Sequence, residues 1–269
     1  MREDSHLILF TSLAQMGAGI AAVHPLFWLV TGKFIWPGWI EVAAVALLLL
    51  AGMISSLAHL GRKKRMLFVL FRINQSPLSI ELLLAGSTFV AALTTFLWYR
   101  TVPFFAWRVT IVAALMLLLV MGLVYRLGVQ LTWKGAVVAT PLITGMLWGS
   151  MFLIVVENAA SDFSLLPVYL LIMIDVILTT VRCRTIEHSG QYGRPKSAAA
   201  FKDRHKLIIT RLIVTDLLTL FALLLIDPVT ALITVTAGVF MDRHIFYAMG
   251  IVHSTEAEIS RVEAIISDL

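Results

Sequence analysis

The chain has 269 residues, of which 59% are hydrophobic and 14% charged, with a mean hydropathy of +0.92. A soluble domain is usually about half apolar, and one of this length has too little interior for the surplus, so the composition points to lipid as solvent. The formal net charge of +5 and the pI of about 9.6 do not signal nucleic acid, because the Lys and Arg lie in loops between apolar runs, where they set topology and meet anionic headgroups.

A membrane-crossing helix needs about 20 apolar residues. Eight runs meet that length, near 7–30, 39–60, 79–99, 104–126, 136–156, 164–181, 207–226 and 229–250. The first is too long for a signal-peptide core and ends in Trp36-Pro37-Gly38-Trp39 rather than a small-residue cleavage site, so it reads as a span and not a cleavable leader. Only Asp227-Pro228 separates the last two, which predicts a tight hairpin. Long uninterrupted runs favour helices over a barrel, whose strands would be short and alternating. The expected fold is all-α, a polytopic membrane protein made of a bundle of about eight transmembrane helices, with residues 1–269 forming one integral membrane domain. No exact internal repeat is visible.

Of the 21 Lys and Arg, all but Lys33, Arg100 and Arg108 fall on the side that holds the N-terminus, the loops after the second, fourth and sixth spans, and the C-terminus. Positive charge stays inside, so both termini are expected in the cytoplasm. The single cysteine, Cys183, makes no internal disulfide. Alone it cannot supply an iron–sulfur cluster or a zinc site, which take about four ligands.

Ionisable residues inside the spans carry the functional question, because charge in a membrane is costly and normally faces a cavity or a partner. His59 ends the second span and Glu81 opens the third, on the same basic side. Asp175 and Asp216 lie near mid-membrane. Arg211, Asp242, Arg243 and His244 lie in the half that holds His59. These arginines and aspartates suit either a polar pocket or an ion-pair brace. A bis-histidine haem needs two imidazoles at matching depth. His24, just before Pro25, has no companion at its level and is read as making a local bond at a kink. His6, His59 and His244 could share a depth, which leaves a haem open, but axial-ligand pairs are normally flanked by small residues that admit the macrocycle, and no haem is expected. His188, His205 and His253 read as solvated.

Residues 57–65 run Leu-Ala-His-Leu-Gly-Arg-Lys-Lys-Arg, and 70–81 run Leu-Phe-Arg-Ile-Asn-Gln-Ser-Pro-Leu-Ser-Ile-Glu. This segment resembles the membrane anchor subunit family of dimethyl sulfoxide reductase, which carries His-Leu-Gly at the end of its second helix, then two arginines and a Ser-x-Leu-Ser-x-Glu stretch. His59, Leu60, Gly61, Arg65, Arg72, Ser76, Leu78, Ser79 and Glu81 fall in register. Val124-Tyr125-Arg126 with Thr132-Trp133, and Gly238 to Arg243 with Phe246-Tyr247, are similar to the family's fourth-helix exit and last helix. Two positions depart from the pattern: Lys63 stands where the family often has Pro, and Ile80 where it often has a polar or basic residue.

The resemblance implies an anchor that holds an iron–sulfur electron-transfer subunit and a molybdopterin catalytic subunit at a bacterial or archaeal cytoplasmic membrane. It implies oxidation of menaquinol to menaquinone in anaerobic respiration, with no haem and no iron–sulfur cluster in the anchor itself. It places His59 and Glu81 at the chemistry, with Gly61, Arg65, Arg72 and Ser79 around the quinol. The chemistry suits these residues: quinol oxidation releases two protons, histidine titrates near neutrality, and a desolvated Glu can be raised toward it. Residues 64–72 alternate basic and apolar character, as an interfacial helix roofing a pocket would. Two rival readings are a transporter, which would show inverted repeats with paired broken spans, and a purely structural anchor without quinol activity.

Overall fold

The structure is a computed structural model and describes residues 2–32, 36–59, 77–99, 103–123, 136–157, 162–189 and 206–249. Among these residues every regular element is helical. In chain order they are α1 (Arg2–Ala22), α2 (His24–Thr31), α3 (Trp39–His59), α4 (Pro77–Leu97), α5 (Pro103–Leu123), α6 (Ala136–Glu157), α7 (Asp162–Ser189), α8 (Lys206–Leu225) and α9 (Pro228–Met249). Six of the eight expected spans are long and apolar enough to cross a membrane: α1 with α2, α3, α4, α5, α6 and α8. The other two expected spans are also helical, with a shorter apolar stretch, Leu165–Val181, in α7.

Three details depart from the simple run of spans, each for a local reason. The first span breaks at Val23 because Pro25 lacks an amide hydrogen and its ring crowds the carbonyl four residues back. α7 continues past its apolar stretch to Ser189 because no Gly or Pro lies between Val181 and Gly190. α8 contains a π-helical turn, Ile213–Leu217, which adds a residue to the turn and re-aims the side chains beyond it.

α1 is the hub of the bundle and packs on α3, α5, α6 and α9. Helices in lipid gain no hydrophobic drive from meeting one another, so close packing of small residues must hold them together. The run Gly17-Ala-Gly-Ile-Ala-Ala22 provides that surface. Gly19 lies directly on Gly145 and Gly149, one turn apart on α6; a Cβ at Gly19 would stand 1.9 Å from the Gly145 carbonyl oxygen, and one at Gly149 would stand 2.2 Å from that of Gly19. Gly238 of α9 similarly admits Thr215 of the π turn. Leu47, Val112 and Ile233 are well exposed on the outside, as a lipid-facing surface requires.

Many hydroxyl groups in the spans are paired internally, since lipid offers them no partner. Thr88 and Thr95 donate to the carbonyls of Leu84 and Ala91 on their own helix, and Trp148 Nε1 donates to Thr236 Oγ1 across to α9 at 2.8 Å. The hairpin at Asp227-Pro228 forms as expected. Asp227 caps α9, accepting bonds from the Thr230 hydroxyl at 2.6 Å and the Thr230 amide at 2.9 Å. Those bonds, the hydroxyl's first, hold the Asp227 carboxyl below its ordinary range. A depressed carboxyl contributes stability above its unfolded pKa and loses it as pH falls through the folded value. Hydrogen exchange at the Thr230 amide is therefore expected to stay slow near neutrality and to gain protection-loss only in acid; an Asp227→Asn chain should lose that pH dependence.

Candidate functional site

The antiparallel run of the helices brings the end of α3, the start of α4 and the end of α9 to one end of the bundle. The start of α1 joins them there, because the Ser55 hydroxyl of α3 donates to the His6 carbonyl at 3.0 Å. His59 is the last residue of α3. Gly61, Arg65 and Arg72, with the rest of the 60–76 segment and the expected interfacial helix, lie outside the described residues, as does the His59 side chain.

Ser79 and Glu81 stand in the first turns of α4 with fully buried side chains. Neither carboxylate oxygen of Glu81, nor the Ser79 hydroxyl, has a hydrogen-bond partner among the described residues. Most buried polar groups are satisfied, so unpaired ones call for an explanation. The guanidinium of Arg243 on α9 lies within electrostatic reach of Glu81. Arg243 Nε donates to Gln15 Oε1 at 2.6 Å, Gln15 donates on to the Thr144 hydroxyl, and Thr144 donates to the Thr140 carbonyl at 2.8 Å. The fixed charge beside Glu81 is thus tied to α1 and α6.

Beyond it, α7, α8 and α9 meet around Arg211. Its guanidinium forks onto the Asp175 carboxylate, with Nη2 donating at 3.0 Å and Nη1 bonded to the other oxygen, and Nη1 also reaches Thr179 at 3.3 Å. Asp216 lies 3.7 Å from Nη1, and Asp242 lies 3.7 Å from Nε. All four side chains are buried. The cluster has the geometry of the ion-pair brace that the sequence allowed, and Arg243 is bonded to Gln15 beside it. His6 and His244 are exposed.

The opposite end of the bundle holds a second polar group. His24 is fully buried with Nε2 3.3 Å from Glu41 of α3, and its ring meets Trp107 edge-on at 5.1 Å. Glu157, at the end of α6, is within electrostatic reach of both. His24, at the break where a local bond was expected, also pairs between helices, with Glu41 of α3. Glu41 and Gln15 were absent from the sequence-based candidates, although each is a strongly polar residue inside an apolar run, the signal by which they could have been found.

No curated protein matches the chain significantly. The model of the family described as DMSO reductase anchor subunit (DmsC) matches residues 1–249. That stretch takes in both polar ends and every helix among the described residues, and the chain belongs to the DMSO reductase anchor subunit family, as a multi-pass membrane protein that associates with other subunits of such a complex.

Proposed function

We propose that this anchor oxidises menaquinol at the His59–Glu81 end of the bundle and passes the electrons to an iron–sulfur partner subunit, which feeds a molybdopterin catalytic subunit. The observation that carries the proposal is Glu81, a fully buried carboxylate whose two oxygens have no hydrogen-bond partner among the described residues. A quinol hydroxyl is the kind of donor such a carboxylate lacks. His59 takes one hydroxyl proton and Glu81 accepts or relays the other. The two electrons leave for the nearest cluster of the partner, and quinone remains. Arg243, held by Gln15, offsets the negative charge on Glu81. Arg65 and Arg72 follow His59 in the connecting segment and supply further positive charge at that end.

Adding menaquinol to the anaerobic, oxidised complex should reduce the iron–sulfur centres, seen as bleaching of their visible absorbance. Clusters that dithionite reduces and menaquinol does not would leave the chain a purely structural anchor.

The orientation belongs to the same proposal: both termini in the cytoplasm, a reading supported by the distribution of Lys and Arg. Reporters fused at Ser197 and at the C-terminus are expected to behave as cytoplasmic, and reporters at Gly38 and Asp227 as exported. An exported reporter at Ser197 would reverse the bundle.

A further inference from the structure

The outer face of the bundle holds a groove of about 650 Å³ between α4 and α5, closed at one corner by Met53 of α3. Its volume lies in the range of ligand sites, roughly 300–1,000 Å³. Along α4 the groove is lined from Leu82 through Gly86 and Val90 to Thr94, about 18 Å of helix at the usual rise. Phe105 and Val109 of α5 form the wall at its far end. The hydroxyls in the lining are already spent: Ser87 donates to the Leu83 carbonyl at 2.9 Å and Thr94 to the Val90 carbonyl at 2.8 Å. What the groove presents is hydrocarbon.

The near end of the groove begins one residue along α4 from the candidate site. Leu82, in its lining, follows Glu81 directly, about 100° around the helix. Met53 lies within two turns of His59 on α3. A ring seated against Glu81 meets this groove at the next residue of the helix. The middle of the groove is open, because a Cβ built at Gly86 would meet no atom within 4 Å.

From this continuity we infer that the groove between α4 and α5 binds the long hydrocarbon tail of the quinol whose ring sits at Glu81. The inference rests on the quinol reading above. It assigns a binding role to Gly86 and Val90, and it fixes the route of access as lateral, from the bilayer, so that the tail stays in the apolar phase while the ring reaches the buried carboxylate.

The test uses the complete complex and two quinols with the same ring, one bearing a long isoprenoid tail and one with a methyl group in its place. Gly86→Phe fills the open middle of the groove; the backbone there is helical, so replacing glycine does not cost helix propensity. Val90→Trp narrows the groove farther along, at a side chain already 59% exposed. In both variants the KM of the long-tailed quinol divided by that of the tailless one is expected to rise about tenfold, as loss of a few buried methylenes would give. A ratio that stays at the wild-type value in both variants overturns the assignment and leaves the groove to a phospholipid acyl chain. If Gly86→Phe does not assemble, Val90→Trp alone decides by the same ratio. A wild-type complex that turns over with a dye donor but with neither quinol overturns the quinol reading, and the tail assignment with it.

Discussion

Replacing His59 with alanine is expected to lower quinol-driven turnover about 100-fold or more relative to dye-driven turnover of the same complex, the scale that positioned acid–base groups contribute. The dye donor delivers electrons directly to the partner subunits, so the ratio separates the anchor's chemistry from assembly and from the terminal reaction. Glu81→Gln preserves the shape of the side chain and removes its ability to take a proton. Its quinol-to-dye ratio should fall less far than that of His59→Ala, and the pH optimum of quinol oxidation should move because one titrating base has left. The accumulation of Glu81→Gln decides whether Glu81 serves the fold. A buried carboxylate with no hydrogen-bond partner among the described residues should cost the bundle stability, and the neutral amide should accumulate at least as well as the native chain. A wild-type ratio in His59→Ala would move the site elsewhere, and Asp175, Asp216 and His244 would become the candidates.

The crossing of α1 and α6 should be the least forgiving place in the bundle. Gly149→Ala puts a methyl group 2.2 Å from the Gly19 carbonyl oxygen, and Gly19→Ala puts one 1.9 Å from that of Gly145. In both cases the obstacle is backbone, which cannot rotate aside as a side chain can. The helices must separate, and α1 loses its seat at the centre of the bundle. Both variants are expected to be nearly absent from membranes by immunoblot. Gly145→Ala meets its nearest neighbours at 3.1 Å, including the end of the Leu118 side chain, and should accumulate at a reduced but measurable level. Equal accumulation of all three would show that the helices do not pack this closely.

The two sets of variants probe different parts of the molecule. His59 and Glu81 lie where the ends of the helices meet, and changes there should alter a rate with the bundle intact. Gly19 and Gly149 lie where two backbones touch, and changes there should remove the bundle before any rate can be measured. A Glu81→Gln chain that failed to accumulate, beside a Gly149→Ala chain that accumulated normally, would invert both assignments.

The sequence by itself determined the class of fold, because lipid leaves an open chain only one way to satisfy its backbone, and apolar run length located the helices, six of the eight expected spans being long and apolar enough to cross a membrane. It also determined that His59 and Glu81 share one end, since that needs only alternation of direction between consecutive spans. The hairpin at Asp227-Pro228 was legible for the same local reason. Tertiary structure alone decided which helix sits in the middle. Nothing in the apolarity of the first span distinguishes it from the others; α1 became the hub because its small residues meet Gly145 and Gly149, more than a hundred positions away. Partner choice among buried charges was equally hidden. Sequence placed Asp175 and Asp216 near mid-membrane and Arg211, Asp242 and Arg243 in one half of the bilayer, but which group a guanidinium reaches depends on helix rotation, and that rotation gave Asp175 to Arg211 and Gln15 to Arg243. His24 and Glu41 met for the same reason: two residues on different helices become a pair only when packing turns both inward, and hydropathy along a single chain carries no information about the direction a helix faces.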